Sequence, residues 1–375
     1  MFKTKKVAFL TGTRADYGKL KPLIRSLSYS NKFDVFIIAT GMHLLAEYGS
    51  TVNHIISDNI ASVITMDNQS IDEKMEIVLA KTVIGLSKIL EENPIDLLVV
   101  HGDRVEALAG AATSSLKNIR VAHIEGGEHS GTVDNIIRHA VSKFSHLHFV
   151  ANDSAKTVLE KIGEKSESIF DIGSPETDLL LSNNLPNLDS VKKRYDIKFD
   201  KYGIMIFHPV TTELSDIESQ IISVSDAAKE SGLNFILIQP NNDNGSTLIR
   251  KKLSELSKSK NFKFVPSMRF EYFLSLMESA DLVLGNSSAG VREAPYFGTP
   301  TVNVGTRQTK RVDTSAIPTI INVEAKTELV LAAINAAIKL DRIRTRSFGD
   351  GNAAIKFTQI LENSKIWEEP FEKFS

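Results

Sequence analysis

The stretch Leu97-Leu98-Val99-Val100-His101-Gly102-Asp103-Arg104 shows the pattern that decides the fold of this 375-residue chain. Four apolar residues followed by a small polar cluster are typical of a short parallel strand, covered on both faces, that ends at a polar sheet edge. The pattern recurs along the sequence. Apolar runs of this kind occupy residues 7–10, 35–39, 97–100, 121–124, 147–150, 204–207, 235–238, 282–284, 301–304 and 319–323.

Amphipathic segments separate these runs. The clearest are 72–92, 133–144, 217–231 and 328–338, where apolar residues recur at helical spacing. Strands that alternate with helices predict an α/β protein with doubly wound parallel sheets. Because a single hydrophobic core stops growing at roughly 250–300 residues, we expect two Rossmann-like lobes.

A break in the alternation predicts where the lobes join. Residues 181–201 combine several asparagines, a proline and a dense mix of charges. We therefore expect a first lobe over 1–185 and a second lobe over 200–350. Residues 351–375 have a helical pattern, and we expect them to pack back on the first lobe.

Composition excludes several classes of function. The absence of cysteine rules out disulfides, thiolate catalysis and cysteine-ligated metal sites. A net charge of −2 produces no field that favours nucleic acid or acidic membranes. No apolar run approaches the roughly 18 residues that span a bilayer, and the N-terminus resembles a first strand rather than a signal peptide. We expect a cytoplasmic protein that binds neither nucleic acid nor membrane.

The histidines do not form an obvious set of metal ligands. His123-Ile124-Glu125 resembles part of a zinc-deaminase signature, but the cysteines of that signature are missing. We therefore expect neither a metal nor a cofactor.

Seven of the apolar runs end in small polar clusters. The clusters are 11–17, 101–104, 125–128, 208–209, 239–243, 285–290 and 305–308. Ligands of open parallel sheets bind outside the carboxyl ends of the strands. Two lobes that both carry such clusters predict an active site in a cleft between them. Turn residues and helix caps are the alternative explanation for any single cluster.

The cluster 285–290 is Gly-Asn-Ser-Ser-Ala-Gly and precedes a predicted helix from about Val291. Main-chain N–H groups at a helix N-terminus favour an anion, and the hydroxyls of Ser287 and Ser288 add donors. The stretch is neither a G-x-G-x-x-G fingerprint nor a Walker loop, so it gives no support to nicotinamide or ATP binding. A serine N-cap is the simpler alternative.

Three carboxylates fall in one short segment of the first lobe. Asp103 and Glu125 each end a strand, and Asp134 opens a helix with Arg138 one turn later on the same face. His208 ends the first strand of the second lobe. Such groups suit proton transfer beside a departing anion. Helix capping and structural ion pairs stay open for each residue taken singly.

As an ordered set, these motifs resemble the hydrolysing UDP-N-acetylglucosamine 2-epimerases, which include bacterial enzymes of the sialic-acid pathway. The matching segments are 11–17, 101–104, 124–128, 130–134, 137–139, 208–212, 285–293 and 305–308. The resemblance implies a GT-B fold with the active site in the cleft between its lobes, no cofactor, and a homodimer.

The resemblance also implies a reaction. UDP-N-acetylglucosamine would lose UDP by anti elimination, and water would add to the resulting 2-acetamidoglucal to give N-acetylmannosamine, the first step of sialic-acid biosynthesis. Catalysis would fall to Asp103, Glu125, Asp134 and His208, with the step of each carboxylate left open. Binding of the UDP-sugar substrate and the UDP product would fall to Arg14, Arg104, Arg138, Asn241, Ser287, Ser288, Gly290, Glu293 and Arg307.

One difference favours the hydrolysing branch. Non-hydrolysing relatives carry a Gln-His-Arg stretch after the second strand that binds an extra UDP-sugar, whereas residues 40–45 here are Thr-Gly-Met-His-Leu-Leu. Three alternatives stay open. They are the same chemistry on a UDP-2,4-diacetamido-2,4,6-trideoxyhexose, a GT-B glycosyltransferase, and a sugar-nucleotide-binding regulator without turnover.

Overall fold

The computed structural model describes residues 4–129, 133–182, 184–308, 317–368, 370, 371 and 373. They form two compact units, each built on one parallel sheet. Most of unit 1 precedes residue 183, and the chain returns to unit 1 at Phe348 after completing unit 2. The predicted α/β class with two parallel-sheet lobes is confirmed. Within the described ranges, no helix is both long and apolar enough to cross a membrane.

Unit 1 contains a seven-stranded sheet in the order β3-β2-β1-β4-β5-β6-β7. Its elements are β1 (Lys5–Thr11), α1 (Arg14–Ser28), β2 (Phe33–Thr40), α2 (Val52–Asp58), β3 (Ser62–Met66), α3 (Met75–Glu92), β4 (Leu97–His101), α4 (Val105–Leu116), β5 (Arg120–Ile124), α5 (Asp134–Phe144), β6 (Leu147–Val150), α6 (Asp153–Lys161), β7 (Ile169–Asp171), α7 (Glu176–Leu180) and, after unit 2, α15 (Ala353–Leu361) and α16 (Lys365–Glu368). Short 3-10 turns cover Gly41–His43, Ala46–Tyr48 and Ser166–Ser168. The strand order reverses between β1 and β4, and doubly wound sheets bind ligands at such a reversal.

The central strands of unit 1 are covered on both faces. Val7 and Phe9 of β1 belong to a core with α1 and α15, whereas Ala8 and Leu10 belong to a core with α3 and α4. Successive side chains of a strand point to opposite faces, so a continuous apolar run is what this position requires.

Five strand predictions in unit 1 are confirmed, and two strands were missed. The missed strands are β3 and β7, which form the two edges of the sheet. In β3 only Met66 is fully buried, and β7 has three residues. An edge strand contacts one neighbour and keeps polar residues, so it lacks the apolar run that marks a central strand.

Unit 2 contains a six-stranded sheet in the order β10-β9-β8-β11-β12-β13. Its elements are α8 (Leu188–Arg194), β8 (Gly203–Ile206), α9 (Ile217–Glu230), β9 (Phe235–Ile238), α10 (Ser246–Leu256), β10 (Phe262–Val265), α11 (Phe270–Ser279), β11 (Leu282–Gly285), α12 (Ala289–Arg292), α13 (Ala294–Phe297), β12 (Thr301–Val304), β13 (Ile320–Val323) and α14 (Thr327–Ala337). The five predicted strands are confirmed, and the edge strand β10, with Lys263 in its middle, was missed.

The predicted helices over 133–144, 217–231 and 328–338 agree with α5, α9 and α14 to within one residue at each end. The helix expected over 72–92 begins three residues later, at Met75.

Helix α15, which follows unit 2 in the chain, packs in unit 1. Phe357 contacts the rings of Phe9 and Phe149, with centroids 6.2 and 4.7 Å away. The carboxylate of Asp178 in α7 accepts hydrogen bonds from the backbone N–H groups of Ala353 and Ala354, each 2.8 Å long. These two bonds satisfy N–H groups that the first turn of a helix leaves without partners.

One glycine is required by the backbone of unit 2. Gly285 ends β11 with φ +135°, and a Cβ there would lie 1.9 Å from the carbonyl oxygen of Ile206. A collision with a strand backbone cannot be relieved by rotating a side chain. Gly232 offers a comparison, because it has φ +69° but no atom within 4 Å of its Cβ position.

We expect Gly285→Ala to lower the free energy of unfolding by about 2–3 kcal/mol more than Gly232→Ala. Gly232→Ala should cost about 1 kcal/mol, the strain of a left-handed backbone alone. Urea unfolding followed by circular dichroism measures both. Equal losses in the two variants would show that contact with Ile206 contributes nothing.

Candidate functional site

Three charged side chains lie next to one another at the carboxyl edge of the unit 1 sheet. His101 is the last residue of β4, Glu125 follows β5 directly, and Asp16 lies in the first turn of α1. The Nδ1 of His101 is 2.9 Å from Asp16 Oδ1, and its Nε2 is 3.1 Å from Glu125 Oε2. The imidazole therefore connects two carboxylates across three adjacent strand ends.

Glu125 is held in an unusual backbone conformation. Its φ is +61°, in the left-handed region that non-glycine residues rarely adopt, and its side chain is almost fully buried. Its N–H donates to the carbonyl of Phe149 on the neighbouring strand, at 2.9 Å. Backbone strain of this kind is concentrated at functional sites.

The charge of His101 follows from its two neighbours. Burial alone would lower the pKa of His101, but the adjacent Glu125 and Asp16 carboxylates outweigh burial and raise the pKa to about 9. His101 is therefore an imidazolium at neutral pH, hydrogen-bonded through Nε2 to Glu125 and ion-paired through Nδ1 with Asp16.

A second set of groups lies behind Glu125. The hydroxyl of Ser174 contacts both Glu125 Oε1 and Glu176 Oε2. The Nζ of Lys19 is 3.1 Å from Glu176 and 3.6 Å from Glu125. Ser174, Glu176, Lys19 and Glu125 are all buried, so this network is shielded from solvent.

Arg138 connects the Asp103 carboxylate to the main chain of Glu125. Its guanidinium donates to the Asp103 carboxylate and, at 2.5 Å, to the carbonyl of Glu125. The Arg138 side chain is 1% exposed, whereas that of Asp103 is 20% exposed. Arg138 is thus committed to protein partners, and Asp103 is the member of the pair that solvent reaches.

Three other predicted residues in unit 1 lie at helix starts. Asp134 and Arg14 are the first residues of α5 and α1, and Arg104 precedes α4 with its Nε 3.6 Å from Glu106. All three are half-buried. Residues 130–132 of the motif that ends at Asp134 lie outside the described residues.

In unit 2, Asn286 fixes the position of His208. Its Oδ1 accepts from the His208 N–H at 2.7 Å, and its Nδ2 donates to the His208 carbonyl at 2.8 Å. The Nδ1 of His208 accepts from the N–H of Asn241 at 3.1 Å. An accepting Nδ1 carries no proton, so the ring is neutral and presents Nε2–H.

The single helix expected from about Val291 is wrong, because two four-residue helices, α12 and α13, stand there. Pro295, at the start of α13, lacks the N–H that would continue α12. Glu293 joins the two helices and is buried. The helix that follows Ser287 and Ser288 is therefore only one turn long.

The residues around this loop are placed by backbone contacts. Gly290 packs closely on β12, since a Cβ there would lie 2.7 Å from Thr301 Cγ2. The carbonyl of Asn286 accepts from Gln308 at 2.8 Å and from Arg307 at 3.4 Å. Ser287 and Ser288 are half-buried.

Sequence reasoning missed several members of these networks. Asp16 and Asn286 lay inside quoted motifs, but nothing local distinguished them from turn residues. Ser174 and Glu176 follow β7, so recognition of that edge strand would have revealed a further polar cluster at a strand end. Among the described residues, no group of three or more His, Asp or Glu side chains is arranged to hold a metal ion.

Comparison with known proteins decides the family. A family model described as UDP-N-acetylglucosamine 2-epimerase matches residues 25–362. A UDP-N-acetylglucosamine 2-epimerase of Neisseria meningitidis serogroup B is 42% identical over 375 residues, 98% of each chain. The chain belongs to the UDP-N-acetylglucosamine 2-epimerase family. It is therefore an enzyme of the epimerase class.

Two further similarities extend this result. A UDP-N,N'-diacetylbacillosamine 2-epimerase (hydrolyzing) of Legionella pneumophila is 34% identical over 98% of each chain. The crystal structure of Methanocaldococcus jannaschii UDP-GlcNAc 2-epimerase, in complex with UDP-GlcNAc and UDP, is similar with a TM-score of 0.81 and 24% identity. That likeness covers 95% of this chain and 99% of the other, and it confirms the predicted GT-B type of fold.

The raised pKa of His101 predicts how stability of this epimerase-family protein depends on pH. The pKa of His101 is about 9 in the folded state and 6.5 in the unfolded state. The protonated His101 therefore contributes its full stabilisation below pH 6.5, and this stabilisation is lost as pH rises through 9. The loss should be on the order of 3 kcal/mol, at about 1.4 kcal/mol per pKa unit.

Urea unfolding of the wild type and His101→Gln between pH 6 and 10 measures this contribution. The wild type should lose its stability advantage over the variant across that range, whereas His129→Gln, which changes an exposed histidine, should parallel the wild type. Parallel profiles for all three proteins would contradict the charge assigned to His101.

Proposed function

We propose that the protein is a hydrolysing 2-epimerase that converts UDP-N-acetylglucosamine and water to N-acetylmannosamine and UDP. The observation that carries the proposal is that Arg138 holds two acidic residues side by side, Asp103 through its carboxylate and Glu125 through its main-chain carbonyl. Asp103 is open to solvent, and Glu125 is buried beside the His101 imidazolium. The two environments differ, and acid and base roles at one site need groups that differ in this way.

The chemistry explains why carboxylates are needed. The C2–H bond of the sugar becomes acidic as the C1–O bond to UDP breaks and positive charge develops at C1. A carboxylate removes the C2 proton while UDP leaves, which forms 2-acetamidoglucal. Water then adds its hydroxyl at C1, and a carboxylic acid returns a proton to C2 from the opposite face. We assign these transfers to Asp103, Glu125 and Asp134.

We assign UDP binding mainly to unit 2. His208 presents Nε2–H, which suits the oxygens of a departing diphosphate. The remaining binding residues are proposed on motif resemblance, and they are Arg14, Arg104, Asn241, Ser287, Ser288, Gly290, Glu293 and Arg307. The complex of the M. jannaschii relative with UDP-GlcNAc and UDP supports a UDP-sugar substrate. Arg138 is assigned a positioning role, because its guanidinium holds Asp103 and Glu125.

The hydrolysing reaction is supported by the surroundings of His43. Its ring lies 3.0 Å from the hydroxyl of Thr11 and 2.8 Å from that of Thr51, and the residue is fully buried. Burial lowers the pKa of His43 to about 4. His43 thus packs within unit 1, and the Gln and Arg that accompany this histidine in non-hydrolysing relatives are absent here.

A second substrate has a specific observation in its favour. The Legionella relative, 34% identical, is named for hydrolysing UDP-N,N'-diacetylbacillosamine. The same carboxylates would serve that substrate, because both sugars carry an acetamido group at C2. We rank UDP-N-acetylglucosamine first because the relative at 42% identity is named for it. We further propose a cytoplasmic homodimer that starts sialic-acid biosynthesis.

Incubation with UDP-N-acetylglucosamine in D2O tests the proposal. We expect UDP release together with N-acetylmannosamine that carries deuterium at C2, because the hydration step takes its C2 proton from solvent. A parallel incubation with UDP-N,N'-diacetylbacillosamine ranks the two substrates by kcat/KM. Release of UDP without deuterium at C2 would rule out the elimination mechanism.

Asp103→Asn and Glu125→Gln should each lower kcat about 100-fold or more, the range expected when a proton-transfer group is removed. UDP affinity, measured by calorimetry, should change little. Glu91→Gln is the matched control, since that carboxylate is 68% exposed and pairs with Lys117 on the surface. Activity near the wild-type level in either site variant would remove that residue from the mechanism.

A further inference from the structure

The hydroxyl of Ser174 lies between two carboxyl groups. It contacts Oε1 of Glu125 on one side and Oε2 of Glu176 on the other. A serine hydroxyl has one proton, so it donates to one carboxylate and must accept from the other group. Both contacts are hydrogen bonds only if one of the two carboxyl groups is protonated.

The charges around Ser174 lead to the same conclusion. Asp16, Glu125 and Glu176 bring three negative charges when ionised, while His101 and Lys19 bring two positive charges. One proton shared by Glu125 and Glu176 brings the formal charges of these five groups to zero. An uncompensated charge on the buried Glu125 or Glu176 would be costly.

One more acid lies on the same helix as Glu176. Burial raises the pKa of Asp178, and hydrogen bonds from the backbone N–H groups of Ala354 and Ala353 oppose that rise. These two bonds engage both carboxylate oxygens of Asp178 at the start of α15. Asp178 is therefore committed to capping α15, and the shared proton belongs to Glu125 and Glu176.

Glu125 and Glu176 have similar partners, so the proton can sit on either. Lys19 reaches both carboxylates, at 3.6 and 3.1 Å, and His101 lies 3.1 Å from Glu125. Neither carboxylate is left without a cation in either arrangement. The near-equivalence of the two sites is what a proton relay requires.

We propose that Ser174 and Glu176 form a proton relay behind Glu125. As Glu125 takes up a proton through the relay, the Ser174 hydroxyl proton moves to Glu125 Oε1 and the Glu176 proton moves to Ser174 Oγ. The reverse movement returns the proton to Glu176. No bond other than O–H bonds changes, and the total number of protons is constant.

The relay rests on the proposed function, in which Glu125 exchanges protons with the sugar. Glu125 is 2% exposed, so solvent does not reprotonate it readily. Glu176 supplies the solvent-derived proton that Glu125 delivers to C2 at hydration. Ser174 and Glu176 do not touch the substrate and act through Glu125.

Infrared difference spectroscopy at pH 7 tests the shared proton without substrate. The wild type should show a carboxylic-acid C=O band that Glu176→Gln lacks. The amide introduced in this variant donates to Ser174, which leaves Glu125 ionised. Glu164→Gln is the control, since it changes another buried glutamate whose partners are His148, Lys143 and Lys373. If Glu176→Gln lost a carboxylate band and no carboxylic-acid band, the proposal would be overturned.

Kinetics test the relay itself. Ser174→Ala and Glu176→Gln should each lower kcat about 100-fold with little change in KM, and each should shift the pH profile of kcat. The double variant should be no slower than either single variant, because both break one chain. Glu164→Gln should leave kcat unchanged. A relay would be contradicted if the losses of kcat in the two single variants multiplied in the double variant. It would also be contradicted if the pH profile of kcat were the same in the variants as in the wild type.

The infrared measurement and the incubation in D2O together separate this inference from the proposed function. An inactive wild type that nevertheless shows the acid band would refute the hydrolysing activity and leave the shared proton standing. An active wild type with deuterium at C2 but without the acid band would retain the activity and refute the relay.

Discussion

The burial of the Glu125 carboxylate is the constraint on which the organisation of unit 1 depends. A carboxylate this far from solvent requires cations and donors within reach, or it would be protonated and lose its charge. His101, Lys19 and Ser174 supply them, and Arg138 engages the Glu125 carbonyl. These partners come from β4, α1, the residues after β7, and α5. Much of the carboxyl edge of the sheet is thus arranged around one side chain.

The same constraint connects stability to chemistry. His101 keeps its proton because two carboxylates flank it, and its charge in turn keeps Glu125 polar inside the fold. Asp103, held by the same Arg138, stays open to solvent. The carboxylates of two residues that contact one guanidinium, Asp103 through its side chain and Glu125 through its main chain, therefore differ in environment. That difference is the physical basis for dividing acid and base roles between them.

Unit 2 uses neutral groups where unit 1 uses charges. Asn286 fixes the main chain of His208 on both sides, and the Asn241 N–H sets the tautomer of the ring. Gly285 permits this arrangement, since any side chain there would collide with Ile206. A backbone amide and a side-chain amide thus aim one imidazole N–H.

The sequence by itself determined the alternation of strands and helices, the two sheets and the polar strand ends, because central parallel strands must be apolar on both faces. It also placed Asp103, Glu125 and His208 at strand ends. The edge strands β3, β7 and β10 were missed because exposed edges keep polar residues. Only the tertiary structure decided which side chains meet. Ser174 reaches Glu125 across 49 residues, and Asn286 reaches His208 across 78. Such contacts depend on strand order in the sheet, and strand order leaves no local pattern in the sequence.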